Sequence, residues 1–451
     1  MTASPLLSIV LAAGKGTRMK SALPKVLHKV AGRTMLGHVL ALAEDAGSER
    51  LAVVVGPDMS TVDEAAKAAA PKAQVFLQPT QQGTADAVLA ARQALDAHCG
   101  DVLVLYADTP LIRPQTIARM RTRLDLGAAV VVLGFRTANP AGYGRLITDR
   151  KDELIAIRED KDATEAERRI ELCNSGVIAF RVPALSALLS RIGNANAKGE
   201  YYLTDAIELA RADGLSGAVV ECDEDEVLGV NARDQLAAAE AIWQARRRGE
   251  LMQEGVTMIA PETVYLSFDT QIACDVIIEP NVFFGTGVSI AEGAEIKANS
   301  YLEGANIGAG ARVGPFARLR PGARLGEKVH IGNFVEVKNT TLAAGAKANH
   351  LSYLGDGIVG PKANIGAGTI FCNYDGFNKA RTEVAEGAFI GSNSSLVAPV
   401  RIGAGAYVGS GSVITKDVAA GSLALERSAQ EERPGWAEKF RTMMARRKAK
   451  S

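Results

Sequence analysis

Two periods of hydrophobic spacing divide the chain. From Leu6 to about Val230, short β-branched runs ("LLSIVLA", "RLAVVVG", "DVLVLYAD", "AAVVVLGF") alternate with helical stretches such as "TMLGHVLALAEDAG" and "GTADAVLAARQAL". That rhythm predicts an α/β layer: a parallel sheet with crossover helices. Ligands of such sheets sit at the carboxyl ends of the strands, where the loop after Leu11 and the carboxylate of Asp108 both fall.

Beyond about residue 253 an aliphatic residue recurs every six positions. The run is Ile278, Phe284, Ile290, Ile296 and Leu302, then after a one-residue slip Ile307, Val313, Leu319, Leu325, Ile331 and Val337. Further slips lead to Leu342, Ala348 and Leu354, to Val359 and Ile365, and finally to Ile390, Leu396, Ile402, Val408 and Ile414. Four residues after each comes, nearly always, a small or β-branched residue, as at Val288, Ala294, Ala317, Val335, Ser394 and Ala406. Hexapeptide repeats of this kind mark a parallel β-helix, three repeats to a triangular coil with the aliphatic residues stacked inside. With strands about 4.8 Å apart, roughly eight to ten coils make a prism on the order of 40–50 Å long. The frame breaks at "FCNYDGFNKARTE", Phe371 to Glu383, which predicts a loop leaving the prism.

"ARDQLAAAEAIWQARRRGELMQEG" has no proline and no glycine before Gly249, and it reads as one linker helix. The division expected is thus 1–230, a linker over 231–252, and a β-helix with its tail over 253–451. The tail "GWAEKFRTMMARRKAKS" reads as a short basic helix fraying into solvent. Acidic and basic residues balance at 51 each, so no global field favours nucleic acid or anionic lipid, and the partners expected are small molecules or copies of the chain. No long apolar run marks a signal or membrane span, which points to the cytoplasm. Five scattered cysteines without a C-x-x-C pair fit reduced thiols.

The loop "LAAGKGTRMKSALPK", Leu11 to Lys25, can bring backbone N–H groups to a phosphate. It is neither a Walker A loop, since Gly16 follows Lys15 and Ile9 stands where the first glycine belongs, nor a Rossmann loop, since Arg18-Met19 replaces the third glycine. Lys15, Arg18 and Lys25 could neutralise triphosphate charge, or be solvated cations of an ordinary βα turn. Asp108 could hold Mg²⁺, which needs only one or two protein oxygens, or cap the next helix. In the β-helix, Arg320 and Lys338 follow inward Leu319 and Val337 three repeats apart, so two cations face outward one coil apart. An anion between them would relieve their repulsion, and solvent alone would screen it. His350 lies two residues past inward Ala348, where it could take a proton from an amine near neutral pH or be a plain surface histidine.

Taken together, "LAAGKGTRM…PK", "QQGTADAV", "YADTPL", "GYGRL", "NSGV" and "GVNARDQL", followed by "RLRPG", "VEVKN", "NHLSYLG", "ANIGAGTIFCNYDG" and "IGSNSSLVAPV", resemble one family over nearly the whole chain. It is the family of bifunctional N-acetylglucosamine-1-phosphate uridyltransferases and glucosamine-1-phosphate N-acetyltransferases. The resemblance implies a Rossmann-like nucleotidyltransferase domain, a left-handed parallel β-helix and a cytoplasmic homotrimer that binds neither nucleic acid nor membrane. It implies that Leu11, Ala12, Ala13, Gly14, Lys25, Gln78, Gly83, Thr84, Tyr106, Gly144, Glu159, Asn174 and Asn231 contact UTP and N-acetylglucosamine-1-phosphate, with Mg²⁺ on Asp108 and Asn231. In the β-helix, Arg320, Lys338, Tyr353 and Asn364 would bind sugar phosphate. Ala367, Asn373, Tyr374, Ser392, Ser410 and Arg427 would line an acetyl-coenzyme A site, and His350 would be the general base. Ala107 stands where the family often has glycine, which could crowd the nucleotide slightly, and Ser410 where alanine is common.

Two other readings compete. One is a nucleotidyltransferase whose β-helix serves only regulation or assembly; the other is a non-catalytic scaffold. A zinc site on the β-helix is set aside, because only His330 and His350 occur there and such sites use three histidines.

Overall fold

A computed structural model describes residues 4–150 and 153–449. It divides into two compact units, with the boundary at Arg247/Arg248 inside the helix Arg233–Gln253.

The first unit is built on a sheet in which Gly217–Cys222, Val130–Arg136, Leu172–Arg181, Asp101–Tyr106, Leu6–Leu11, Arg50–Val55 and Gln74–Leu77 lie side by side in that order. The inner strands are buried on both faces because helices cover each side. One apolar cluster gathers Leu36, Val39 and Leu40 of the helix Met35–Asp45 with Val10 and Val53; the other sets Val88, Leu185 and Ile207 against Ile9 and Val104. Thr34 starts the helix Met35–Asp45 by accepting a hydrogen bond from the Gly37 N–H.

The sheet is mixed, which corrects the expectation of a parallel one. Leu172–Arg181 runs antiparallel to both of its neighbours. Its sequence, "LCNSGVIAFR", shows no polar–apolar alternation because apolar clusters bury it on both faces, so the pattern could not show its direction. The stretch read as one helix from Gly83 to Leu95 is two, Thr84–Ala90 and Arg92–Asp96, meeting at non-helical Ala91.

The second unit is the β-helix. Its first face is a ladder of ten strands among the described residues, from Thr257–Met258 to Leu423–Ala424. The second face runs from Phe283–Phe284 through Arg318–Leu319 and Glu336–Lys338 to Val413–Ile414, and the third from Gln271–Ile272 to Val400–Ile402. Along the three faces the pairing is parallel, and the register follows the repeat: Phe284 lies over Leu302, Leu319 over Val337, Ile365 over Ile390. Every inward residue of the hexapeptide run is buried, as are the six small residues that follow them. At about 1.5–3 kcal/mol for each large aliphatic side chain, this stack is the main stabilising term of the unit. The corners need left-handed backbone, which Asn281, Asn299 and Asn393 supply at φ near 60°.

The frame does not break at Phe371. That residue is fully buried six positions after Ile365, and Thr382 and Val384 are buried again, so only the segment between them leaves the prism. The tail forms a helix, Trp436–Lys448, with no buried residue.

Candidate active sites

In the α/β unit the carboxyl ends of Leu6–Leu11 and Asp101–Tyr106 open onto a cavity of about 360 Å³. Leu11, Ala12, Ala13, Gly14, Lys25, Gln78, Gly83, Thr84, Tyr106 and Asp108 line it, together with Gln81 and Glu200, which sequence reading did not single out. The glycines have distinct tasks. A side chain on Gly16, at φ 61°, would meet Lys25 Cβ at 2.5 Å, so this glycine lets Lys25 turn inward. A Cβ on Gly14 would meet nothing within 4 Å, so the room beside it is free for a ligand.

Lys25 Nζ donates to Asp108 Oδ2 at 2.5 Å and to Asn231 Oδ1 at 3.0 Å. The backbone ties the same segments, the Val230 N–H donating to the Asp108 carbonyl at 2.9 Å. Two oxygens, one anionic, thus converge on one cation although they are 123 positions apart in the chain. Gln78 donates to Asp86 at 2.7 Å and to the Gly83 carbonyl, and Gln81 donates to the Ala13 carbonyl, fixing the loop. Burial, with Asp108 and Glu159 nearby, pushes the Tyr106 phenol far above its ordinary range, so it stays a neutral hydrogen-bonding group. Burial also raises the Glu159 carboxyl, with Thr204 at 3.2 Å and Lys198 opposing and Asp162 and Glu200 adding to the rise. Gly144 packs against both Glu159 and Asn174, and its carbonyl accepts from the Asn174 N–H at 2.8 Å. Ala107 is fully buried behind the cavity rather than on its wall. Lys15 and Arg18 are exposed and outside its lining.

In the β-helix the second face carries Arg320, Lys338 and Tyr353. The Arg320 N–H donates to the Val337 carbonyl, which sets Arg320 beside Lys338, and Lys338 pairs in register with Gly355. A Cβ on Gly355 would lie 2.5 Å from the Tyr353 hydroxyl, so the missing side chain lets Tyr353 lean across beneath Lys338. The repulsion expected between the two cations is partly answered within the fold: Arg320 donates to Glu336 at 2.9 Å, and Lys338 lies close to Asp356. Burial works against the charge on Asp356, but hydrogen bonds from Asn339 and Asn373, with Lys338 and Lys379 nearby, hold its carboxyl below the usual range.

His350 ends the first-face strand Lys347–His350 at the corner before the second face. Its Nδ1 pairs with Asn333 Oδ1 at 2.6 Å across one coil. An amide oxygen there takes the Nδ1 proton, which leaves Nε2 as the free base. Asn333 was legible in principle: it stands seventeen residues before His350, one slipped coil away. Below His350 the same corner carries a column: the Gly368 N–H donates to the His350 carbonyl, the Asn393 N–H to Ala367, the Gly411 N–H to Ser392, and Arg427 to the Ser410 carbonyl at 2.7 Å. His350, Ala367, Ser392, Ser410 and Arg427 thus share one edge of the prism. Asn364 lies beside them on the first face. Asn373 and Tyr374 do not: they leave from the opposite edge of the second face, where Asn373 holds Asp356.

Comparison with known proteins agrees with both halves. Residues 8–171 match the MobA-like NTP transferase domain, and residues 304–339 and 381–416 match the bacterial transferase hexapeptide repeats. The bifunctional protein GlmU of Azorhizobium caulinodans is 60% identical over 441 residues, 98% of each chain. Those of Xanthobacter autotrophicus and a Bradyrhizobium species are 58% and 55% identical over 99% of this chain and 100% and 99% of their own. The chain belongs to the GlmU family. It is a bifunctional enzyme with acetyltransferase and uridyltransferase activities, acting in UDP-N-acetylglucosamine synthesis, as GlmU-family membership across both of its units entails. The β-helix is therefore not a mere scaffold, and the single-activity and non-catalytic readings fall.

Proposed function

We propose that the cavity at Lys25, Asp108 and Asn231 is the uridyltransferase site, and that the prism edge at His350 is the acetyltransferase site. The convergence of Asp108 and Asn231 oxygens on one cationic nitrogen supports the first assignment most directly. A carboxylate and an amide oxygen so held suit Mg²⁺, which would take its other ligands from water and phosphate. When bound there, Mg²⁺ would neutralise charge that builds up on the transferring phosphate. Leu11 to Gly14 with Gln78, Gln81, Gly83 and Thr84 form the wall for the nucleotide, and Lys25 reaches its phosphates. Glu159, Asn174 and Gly144 offer polar contacts to the sugar. A phosphate oxygen of N-acetylglucosamine-1-phosphate attacks the α-phosphorus of UTP and pyrophosphate leaves; no protein nucleophile takes part.

At the second site Arg320, Lys338 and the Tyr353 hydroxyl receive the phosphate of glucosamine-1-phosphate. His350 Nε2 removes a proton from its 2-amino group, the nitrogen attacks the thioester carbonyl of acetyl-coenzyme A, and the thiol departs with a proton. The corner column from Ala367 to Arg427 follows the length of the coenzyme. Because Asn373 and Tyr374 stand on the other edge of the face, the complete coenzyme site takes those two from another copy, in a homotrimer of parallel prisms. Among the described residues no helix is long and apolar enough to cross a membrane, in keeping with a cytoplasmic enzyme of small-molecule substrates.

Assays of the two half-reactions on purified protein, with light scattering on the same sample, test this. Mg²⁺-dependent pyrophosphate release, acetyl-coenzyme A-dependent thiol release and a trimeric mass are expected. A monomer with full acetyl transfer would sink the shared site.

A further inference from the structure

We propose that the Lys25 ammonium is a stand-in cation for the metal position. It holds Asp108 and Asn231 together while no nucleotide is bound, and it yields that place only when a triphosphate receives it. Lys25 then does more than the phosphate contact assigned above, on the same reading of Asp108 and Asn231 as the metal ligands.

Both oxygens meant for a divalent ion already surround Nζ, at 2.5 and 3.0 Å. The side chains of Lys25 and Asp108 are only 10% and 20% exposed, so water screens little of the repulsion that a second cation would meet there. The backbone of Lys25 cannot retreat. It opens the short helix Lys25–Leu27 directly after Pro24, and Gly16 packs close against its Cβ. Only the flexible end of the side chain can move. Swinging it off Asp108 leaves a nearly buried ammonium without a counter-charge, which is costly unless another anion accepts it. The cavity that Lys25 lines is where the triphosphate is placed, and phosphate oxygens would be that anion.

Metal and triphosphate should therefore bind cooperatively. The ion alone should bind weakly, and the entering species should be the metal–nucleotide complex. Typical coupling between two such sites is about 5–150-fold in affinity.

The test is an electron paramagnetic resonance titration with Mn²⁺ alone on the nucleotide-free full chain, stripped of divalent ions. Lys25→Ala should bind Mn²⁺ at least about tenfold more tightly than wild type. Lys25→Arg should stay weak, since a guanidinium keeps a cation between the oxygens, and Lys25→Ala with Asp108→Asn should lose the gain. Equal affinity in wild type and Lys25→Ala overturns the proposal. A gain that survives in the double variant means that the ion sits elsewhere, and overturns the assignment of Asp108 along with the proposal. Should Lys25→Ala not fold, the wild-type titration decides: micromolar affinity for Mn²⁺ without nucleotide overturns the stand-in role, and its absence supports it.

Discussion

In the α/β unit burial governs the enclosed carboxylates, whereas on the β-helix cations and amides govern them. Asp101, Glu159 and Asp205 are all raised, with loss of water as the largest cause. Glu295 is lowered first by its hydrogen bond from Lys297; Glu279 and Asp356 are lowered despite burial, by the Ala298 N–H and Lys297 and by Asn339 and Asn373. A sheet flanked by helices can enclose a cavity, and a cavity strengthens every charge interaction inside it. A prism of two-residue strands presents only outward rows, and each charge there must find its partner one coil above or below. The first site is thus walled within one chain, whereas the proposed second site is an open face, which substrate and, in the proposed homotrimer, a second copy would cover.

If the two sites are independent in this way, single substitutions should separate the activities. The largest effect is expected from His350→Ala, which removes the proposed base: acetyl transfer should fall about 10²–10⁴-fold while uridyl transfer holds. Parallel loss of both, measured as thiol and pyrophosphate release, would break the two-site picture. Asp108→Asn is the converse. Losing the anionic oxygen should cost several kcal/mol of charge stabilisation, roughly a hundredfold in uridyl transfer, with acetyl transfer unchanged. An unchanged Mg²⁺ dependence of pyrophosphate release would remove Asp108 from its role.

The same contrast explains what the sequence made legible. The prism could be read residue by residue, because a six-residue period leaves one inward position per strand, and those positions are the buried ones. Even the pairing of Arg320 with Lys338 follows from counting coils. The α/β site could not be counted out. Glu200 reaches the cavity from an irregular loop with no periodic pattern, and Thr204 meets Glu159 across 45 positions. Nor could the direction of Leu172–Arg181 be read, since burial on both faces erases the alternation that would betray an antiparallel strand. Glu336 beside Arg320 and Asp356 beside Lys338 were within reach of the same coil counting.

Asn333 sharpens the comparison at the open site. If its amide oxygen fixes the Nδ1 proton of His350, Asn333→Ala should lower kcat for acetyl transfer about tenfold with little change in KM, because a loosely oriented base misplaces the attack. Asn333→Asp should restore orientation and, by favouring imidazolium, shift the acid limb of the pH profile upward. A change in KM alone would assign Asn333 to substrate binding instead.

The smallest expected effect tests the opposed carboxylates themselves. Asp205, half-buried and first raised by burial, then by Glu208 and Glu159, has its pKa pushed up to about 6 from an ordinary 3.8. A carboxyl whose folded pKa is raised favours folding most when protonated, so its contribution is fully present below about 3.8 and is lost as pH rises through about 6. Asp205→Asn keeps the shape without the charge, so it should raise stability only a little at pH 4.5, where the loss has just begun, and more at pH 7.5. Discounted for solvent screening at a half-exposed site, the gain is about 1 kcal/mol, or roughly 2–4 °C in the unfolding of a unit this size. Glu295 on the β-helix is depressed, so its stabilisation is present above about 4.5 and is lost as pH falls through its lower folded pKa. Glu295→Gln should therefore destabilise at pH 7.5 and matter progressively less in acid. Scanning calorimetry of both variants at the two pH values decides: if Asp205→Asn gains nothing between pH 4.5 and 7.5, burial does not govern that carboxylate, and the contrast between the two units fails where it is most directly measured.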